Sequence, residues 1–246
     1  MNSPQDDIFL QELIHDINNN DSNTQTNIDN TQQNHNLENN KYIGTEIDHR
    51  KADGVFRVIG GNPNGIKITE KGGELAEYLE EAKRMSADTV MMYEINLDTQ
   101  KPKVKQVIHS TCNNLYDHHS ITYASSATPS KNQFKPGGTV LCVTENSSGR
   151  VTAKGSDDMG RWTYQTLTCK GDKSLTMISA YQVCKQQLVN NSRVSTLTAT
   201  AQQISALRQQ GRDILPRKAF TQDLESFIAH EHGKGNGILF VCCGVQ

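Results

Sequence analysis

The sequence predicts a mixed α/β domain of the α+β kind, with largely antiparallel strands and helices on its outer faces, carried behind a disordered tail. Three observations lead there. An apolar strand, an amphipathic helix and a second apolar strand follow one another between residues 54 and 94. A series of short apolar runs separated by turn residues then fills residues 137–181. Finally, only 35% of the 246 residues are hydrophobic and the mean hydropathy is -0.63, so part of the chain packs nothing, and that polarity gathers at one end.

The polar end is residues 1–50. From Asn18 to Asn40, 13 of 23 residues are Asn or Gln and only Ile28 and Leu37 are apolar. Such a stretch cannot bury enough surface to offset the entropy of ordering it, and tracts of this kind also tend to self-associate. Before it, Phe9, Leu10, Leu13, Ile14 and Ile17 stand at helical spacing behind Asp6 and Asp7, which predicts a short helix near residues 8–17. It is either a docking helix or a transient one. Residues 1–50 hold nine Asp/Glu against two Lys/Arg, a charge of -7, which leaves the other 196 residues at +5. A mildly basic body is compatible with a polyanionic partner such as nucleic acid.

The body, residues 54–246, is taken in order. "GVFRVIGGNPNGI" predicts a strand over residues 55–59 and a tight Gly/Pro loop carrying Asn62 and Asn64. In "GELAEYLEEAKRM", Leu75, Leu79, Ala82 and Met85 share one helical face. "ADTVMMYEI" predicts a strand over residues 89–93 that ends on Glu94. Strand, helix and strand at this spacing make a crossover unit. Residues 110–135 read as polar and irregular. "GGTVLCVT", "GRVTA", "GRWTYQTLTC" and "SLTMISAY" read as a four-stranded antiparallel meander. Residues 191–210 are helix-compatible but weakly apolar and suit an exposed insertion, about residues 185–215. "KAFTQDLESFIAHEHGKG" restores a helix through Phe220, Leu224, Phe227 and Ile228 with a stop near Gly233, and "NGILFVCCGVQ" predicts a buried strand.

No apolar run approaches the ~20 residues of a membrane span, and the acidic start lacks the features of a signal peptide. A soluble, intracellular protein without a membrane partner is expected. Cys112, Cys142, Cys169, Cys184, Cys242 and Cys243 show no C-x-x-C spacing and read as reduced core residues. "HEH" at residues 230–232 and the pair His118 and His119 read as solvated surface features, without complementary ligands at metal-site spacing.

Chemistry is sought at the polar residues that close apolar strands: Asn62, Glu94 and Tyr181. A carboxylate on an apolar strand is costly unless it is paired, protonated or bound to a metal, so Glu94 is the most informative residue in the chain. In order along the sequence, "GNPNGI", an amphipathic helix, "MMYEIN", "GRV", "ISAY" and an apolar "ILFV" strand resemble the endonuclease/exonuclease/phosphatase superfamily. The resemblance runs from about Val55 to the end and is nearest in look to the endonuclease domains of non-LTR retroelements. It implies a DNase I-like two-sheet α/β sandwich, Mg²⁺ or Mn²⁺ as cofactor, and DNA as a possible partner. Residue by residue, Asn62 matches the family asparagine that helps hold the metal and orient the phosphate, and Glu94 the metal-binding glutamate, with Tyr93 in place of the usual glutamine. Tyr181 matches the tyrosine beside the scissile phosphate.

The chain also departs from the pattern. After the "ILFV" strand the family carries G-D-x-N, whose aspartate activates water; here the place reads "VCCGVQ". The later Asp and His have no counterpart, and Cys184 stands where many members place an Asn. The expectation is a truncated or degenerate Mg²⁺-dependent phosphodiester-cleaving endonuclease of incomplete second half, inactive as written. Two rivals remain: a residual nuclease using Asp157, Asp158 or Asp213 in place of the lost groups, and a nucleic-acid-binding remnant.

Overall fold

A computed structural model describes residues 51–128, 130, 131, 133–184 and 198–244. The expected tail with its short helix, residues 185–197 of the expected insertion and the last two residues lie outside the described part.

Residues 58–93 form the expected crossover. Strand β1 (Val58–Gly61) runs parallel to β2 (Thr89–Tyr93), and helix α1 (Glu74–Arg84) connects them. Leu75, Leu79 and Ala82 are the buried face of α1, as its spacing predicts. Helix α2 (Pro102–Leu115) and strand β3 (His119–Ala124) follow, then β4 (Thr139–Thr144) and a single helical turn, α3 (Glu145–Ser148). Strands β5 (Val151–Ser156), β6 (Trp162–Thr168) and β7 (Ser174–Gln182) come next. Helices α4 (Ala199–Gln209) and α5 (Pro216–Gly233) lead to β8 (Asn236–Gly244).

The strands make two four-stranded sheets, ordered β1-β2-β4-β3 and β5-β6-β7-β8. Both are mixed: β1/β2 and β7/β8 are parallel, and the other pairs are antiparallel. Period-two alternation distributes the side chains among three apolar layers. Val90 and Met92 of β2 join Leu79, Val104, Ile108 and Cys142 beneath α1 and α2. Met91 and Tyr93, on the other face, meet Met177 and Tyr181 of β7 between the sheets. Ile178 and Ala180 of β7 turn to Phe220 and Leu224 of α5. Both faces of β2 and β7 are therefore covered, which is why these strands read as continuous apolar runs rather than alternating ones. At roughly 25 cal/mol per Å² of apolar surface buried, layers of this kind are the main favourable term in folding. The expected two-sheet α+β architecture is present.

Four expectations are corrected. The first strand begins at Val58 rather than Val55, because Val55 is 49% exposed and the Arg57 carbonyl is taken by the Asp88 and Thr89 amides. Residues 110–135 are not wholly irregular, since α2 runs to Leu115 and β3 occupies His119–Ala124. The meander has three strands, not four: β4 pairs with β2 and β3 in the first sheet. Up to Val241 the last strand is at most half-buried rather than buried, because it lies at the edge of its sheet.

Of the cysteines, Cys112 and Cys142 are buried and unbridged as expected, whereas Cys169 and Cys184 are unbridged but only half-buried. Helix α4 falls in the stretch read as an insertion, and it buries Gln202, Gln203 and Leu207. No helix among the described residues is long and apolar enough to cross a membrane.

Candidate functional site

The loop after β1 and the segment after β2 are laced together by their backbones. Gly65 N donates to the Glu94 carbonyl (2.8 Å) and Ile66 N to that of Ile95 (2.9 Å). Three non-glycine residues in these segments hold left-handed backbone: Asn64 at φ 50°, Glu94 at φ 53° and Asn96 at φ 54°. Asparagine tolerates that region; glutamate does not readily. The turn at Glu94 nevertheless has a clear effect. Continued alternation would put residue 94 beside Val90 and Met92 in the apolar layer under the helices. Instead the chain rotates, Ile95 takes that place, and the Glu94 carboxylate comes out half-buried.

Asn62 meets this carboxylate directly. Its Nδ2 donates to Glu94 Oε2 at 3.0 Å, while its Oδ1 accepts the Asn64 amide at 2.8 Å. Asn62 thus presents a donor toward Glu94 in this arrangement. Tyr181 arrives from the second sheet, on the inter-sheet face of β7, its amide bonded to the Arg161 carbonyl (2.8 Å). Its phenol lies within electrostatic reach of Glu94 and Cys184. Burial, then the negative charge of Glu94, then Cys184 hold the phenol well above the ordinary tyrosine range. It is therefore a protonated donor at neutral pH.

Gly137 makes room for this meeting. Its φ is 85°, and a Cβ there would sit 3.3 Å from Tyr181 Cε1 and 3.5 Å from Ala199 Cβ. Its amide donates to Asn96 Oδ1 (2.7 Å). Just before it, Lys135, 1% exposed, pairs with the buried Asp98 at 2.7 Å and donates to the Ser126 carbonyl at 2.7 Å. That ion pair fixes the segment which supplies Gly137.

The structure therefore brings Asn62, Glu94 and Tyr181 together, from positions far apart in sequence. It does not bring Asp157 to them as a free carboxylate. Asp157 Oδ2 accepts from Met159 N, Arg161 N and Arg161 Nε, and Oδ1 from Arg161 Nη2 at 2.8 Å, so it clamps Arg161. Arg161, 2% exposed, also binds Asp223, which binds Arg212. Asp158 and Asp213 are exposed.

"HEH" is only partly a surface feature. His230 and His232 are exposed, but Glu231 is 3% exposed and accepts from Thr176 Oγ1 (3.1 Å), Asn236 Nδ2 (2.9 Å) and Lys234 Nζ (2.6 Å). Among the described residues no group of three or more His, Cys, Asp and Glu could hold a metal ion. Reading the sequence missed Asn96, the Asp98–Lys135 pair and Arg161. Arg161 had a signal, an arginine opening the apolar "RWTYQTLTC" run.

No family model matches the sequence, and no curated protein matches it. Among solved structures, the chain is similar to the AP endonuclease LMAP from Leishmania major, with a TM-score of 0.39 and 15% identity over 52% of this chain and 40% of that one. It is similar to the human Nocturnin catalytic domain with bound sulfate anion (TM-score 0.36, 16% identity, 77% of this chain and 62% of that one). A third is an endonuclease/exonuclease/phosphatase from Beutenbergia cavernae DSM 12333 (TM-score 0.33, 13% identity, 63% and 42%). The chain spans less than two thirds of the length of each.

Proposed function

We propose that this chain is a degenerate relative of the Mg²⁺-dependent endonucleases of the endonuclease/exonuclease/phosphatase superfamily, one that keeps part of a phosphodiester site and binds DNA without cleaving it. The observation that carries the reading is the convergence of Asn62, Glu94 and Tyr181, with Asn62 hydrogen-bonded to Glu94 at 3.0 Å and Tyr181 brought near them from the second sheet. Strained backbone at Glu94 supports it, because conformations of this kind persist where the surroundings over-determine them and gather at functional sites.

The donor set fits a hard divalent cation loosely. Glu94 offers a single accessible carboxylate, and Mg²⁺ is commonly held by one or two carboxylates with water and phosphate oxygens filling the octahedron. When bound, such a cation supplies charge neutralisation at a phosphodiester oxygen. The chain's own residues do the rest. The protonated Tyr181 phenol and the Asn62 amide are donors for phosphate oxygens, and Asn62 also orients Glu94.

Turnover needs a group to take a proton from the attacking water. "VCCGVQ" holds no carboxylate, and Asp157 is occupied by Arg161. No observation favours Asp158 or Asp213 as substitutes. Binding without cleavage, on DNA as in the retroelement endonucleases whose motifs the sequence resembles, is the consequence. The test is calorimetric titration of the full chain with Mg²⁺ and Mn²⁺, and salt-dependent DNA binding. Weak cation binding that Glu94→Gln weakens further is expected; cation affinity indifferent to Glu94→Gln overturns the reading.

A further inference from the structure

We propose that Phe134 is a stacking platform for an unpaired base, so that the DNA this chain binds at the Glu94 cluster is single-stranded in preference to duplex. This rests on reading the cluster as a DNA site and goes beyond it in naming the form of the DNA and the side chain that selects it. Phe134 is 58% exposed, and every other described Phe, Tyr and Trp is buried or half-buried. A lone apolar side chain is ordinary on a protein surface. Its backbone, its place and its charged surroundings set this one apart.

The backbone at Phe134 is held from both sides. Leu97 and Phe134 form an antiparallel bridge, Asp98 N donates to the Gln133 carbonyl (2.7 Å), and Lys135 N donates to that of Asn96 (3.0 Å). Ser130 Oγ donates to the Phe134 carbonyl at 3.0 Å. The Lys135 side chain is turned inward to Asp98, so alternation turns its neighbour Phe134 outward. A ring on a fixed backbone loses little freedom when a base stacks on it. The same ladder places the ring near the site. Phe134 opposes Leu97, three residues after Glu94, which is at most about 11 Å of chain. A strand with a phosphate at Glu94 can therefore set a flanking base on the ring.

The charge around the ring is positive. Lys101 Nζ donates to the Lys131 carbonyl (2.8 Å), so the start of α2 lies against this loop. Lys101, Lys103 and Lys105 crowd that start, and the first turn of α2 holds no acidic residue. Cations at a helix N-terminus oppose the helix dipole; a polyanion alongside offsets that cost. Lys103 and Lys131 are exposed, and the pair that Lys103 makes with the exposed Glu70 is long, at 3.8 Å, and weak. An aromatic face among exposed cations meets a single strand on both counts, base and backbone. In a duplex the bases are already stacked on one another and offer the ring no free face.

The experiment follows the fluorescence anisotropy of a labelled oligothymidylate, and of a duplex of the same length, with the full chain in a salt series. The single strand is expected to bind more tightly than the duplex. Phe134→Ala should weaken single-strand binding about tenfold, as loss of one stacked base does. It should leave duplex binding and the thermal midpoint unchanged, because the ring is exposed. Phe134→Trp should keep single-strand affinity, whereas Phe134→Leu, apolar but without a π-face, should fall with the alanine variant. Lys131→Gln should weaken both forms and lower the salt slope by about one. A duplex bound as tightly as the single strand, single-strand binding that ignores Phe134→Ala, full binding by Phe134→Leu, or a salt slope that ignores Lys131→Gln overturns the platform. Cation affinity indifferent to Glu94→Gln, with single-strand binding that still follows Phe134, overturns the metal site and leaves the platform standing, so the two failures are distinguishable.

Discussion

Replacing Glu94 by alanine and by glycine separates what its side chain does from what its backbone costs. Both substitutions remove the carboxylate that accepts from Asn62 at 3.0 Å. A hydrogen bond to a charged group is worth about 1.5–3 kcal/mol, but Glu94 is half-exposed and water can replace part of it, so Glu94→Ala should cost about 1 kcal/mol. Alanine keeps the left-handed strain at φ 53°; glycine relieves it. The strain is about 1–2 kcal/mol, and the greater freedom of glycine in the unfolded chain returns about 0.5–1 kcal/mol of that. Glu94→Gly should therefore be more stable than Glu94→Ala by about 0.5–1 kcal/mol, read as a higher urea midpoint at unchanged slope. Both variants should lose cation binding equally. A glycine variant no more stable than the alanine variant would refute the claim that the chain is strained at this residue.

Other perturbations test the surrounding network. Hydrogen bonds from Lys234, Asn236 and Thr176 hold the Glu231 carboxyl below its ordinary value of 4.5, although burial, the largest single effect, pushes it upward. A depressed acid contributes stability above pH 4.5 that is lost as the pH falls through the folded value, so Glu231→Gln should flatten the fall in thermal midpoint below that pH; an unchanged profile would exclude this carboxylate as the cause. Lys135→Met leaves Asp98 buried without its cation and should cost about 3–5 kcal/mol, with Asp98→Asn in the same chain recovering part of it in chemical denaturation. Supercoiled plasmid incubated with the chain and Mg²⁺ should stay unnicked, because loss of a general base lowers rates by about 10²–10⁴-fold; nicking that disappears in Glu94→Ala would contradict this.

The fold was legible where one face of an element carries most of the apolar residues. Helix α1 and strand β2 fall where spacing puts them, since Leu75, Leu79 and Ala82 share a face and β2 is covered on both sides. Helix α2 was missed although Val104, Val107, Ile108, Thr111 and Cys112 keep helical spacing, because that face ends on Thr and Cys and most of its remaining positions are Lys, Gln, His, Ser and Asn. Strand β4 shows a different limit. "TVLCVT" is as plainly a strand as its neighbours, but a local pattern does not say which sheet it joins. The pairing of β4 with β2 and β3 is decided by tertiary contact alone.

The site divides along the same line. Residue types and order mark Asn62, Glu94 and Tyr181, because a polar group ending an apolar strand needs a partner. The conformation that makes Glu94 usable is not written in its neighbours. By strand alternation residue 94 belongs under the helices, where an unpaired carboxylate would be driven to protonate. Left-handed backbone at Glu94 and Asn96 moves it out, and these turns are held by bonds from Gly65 N to the Glu94 carbonyl, from Asn96 N to the Gly137 carbonyl and from Gly137 N to Asn96 Oδ1. Gly137 in turn is placed by the buried ion pair between Lys135, some forty residues from Glu94, and Asp98. The carboxylate is therefore positioned through Asn96 and Asp98 by Gly137 and Lys135, which lie some forty residues away, so disrupting Lys135 should weaken any cation binding at Glu94 in a calorimetric titration although Lys135 lies outside the site.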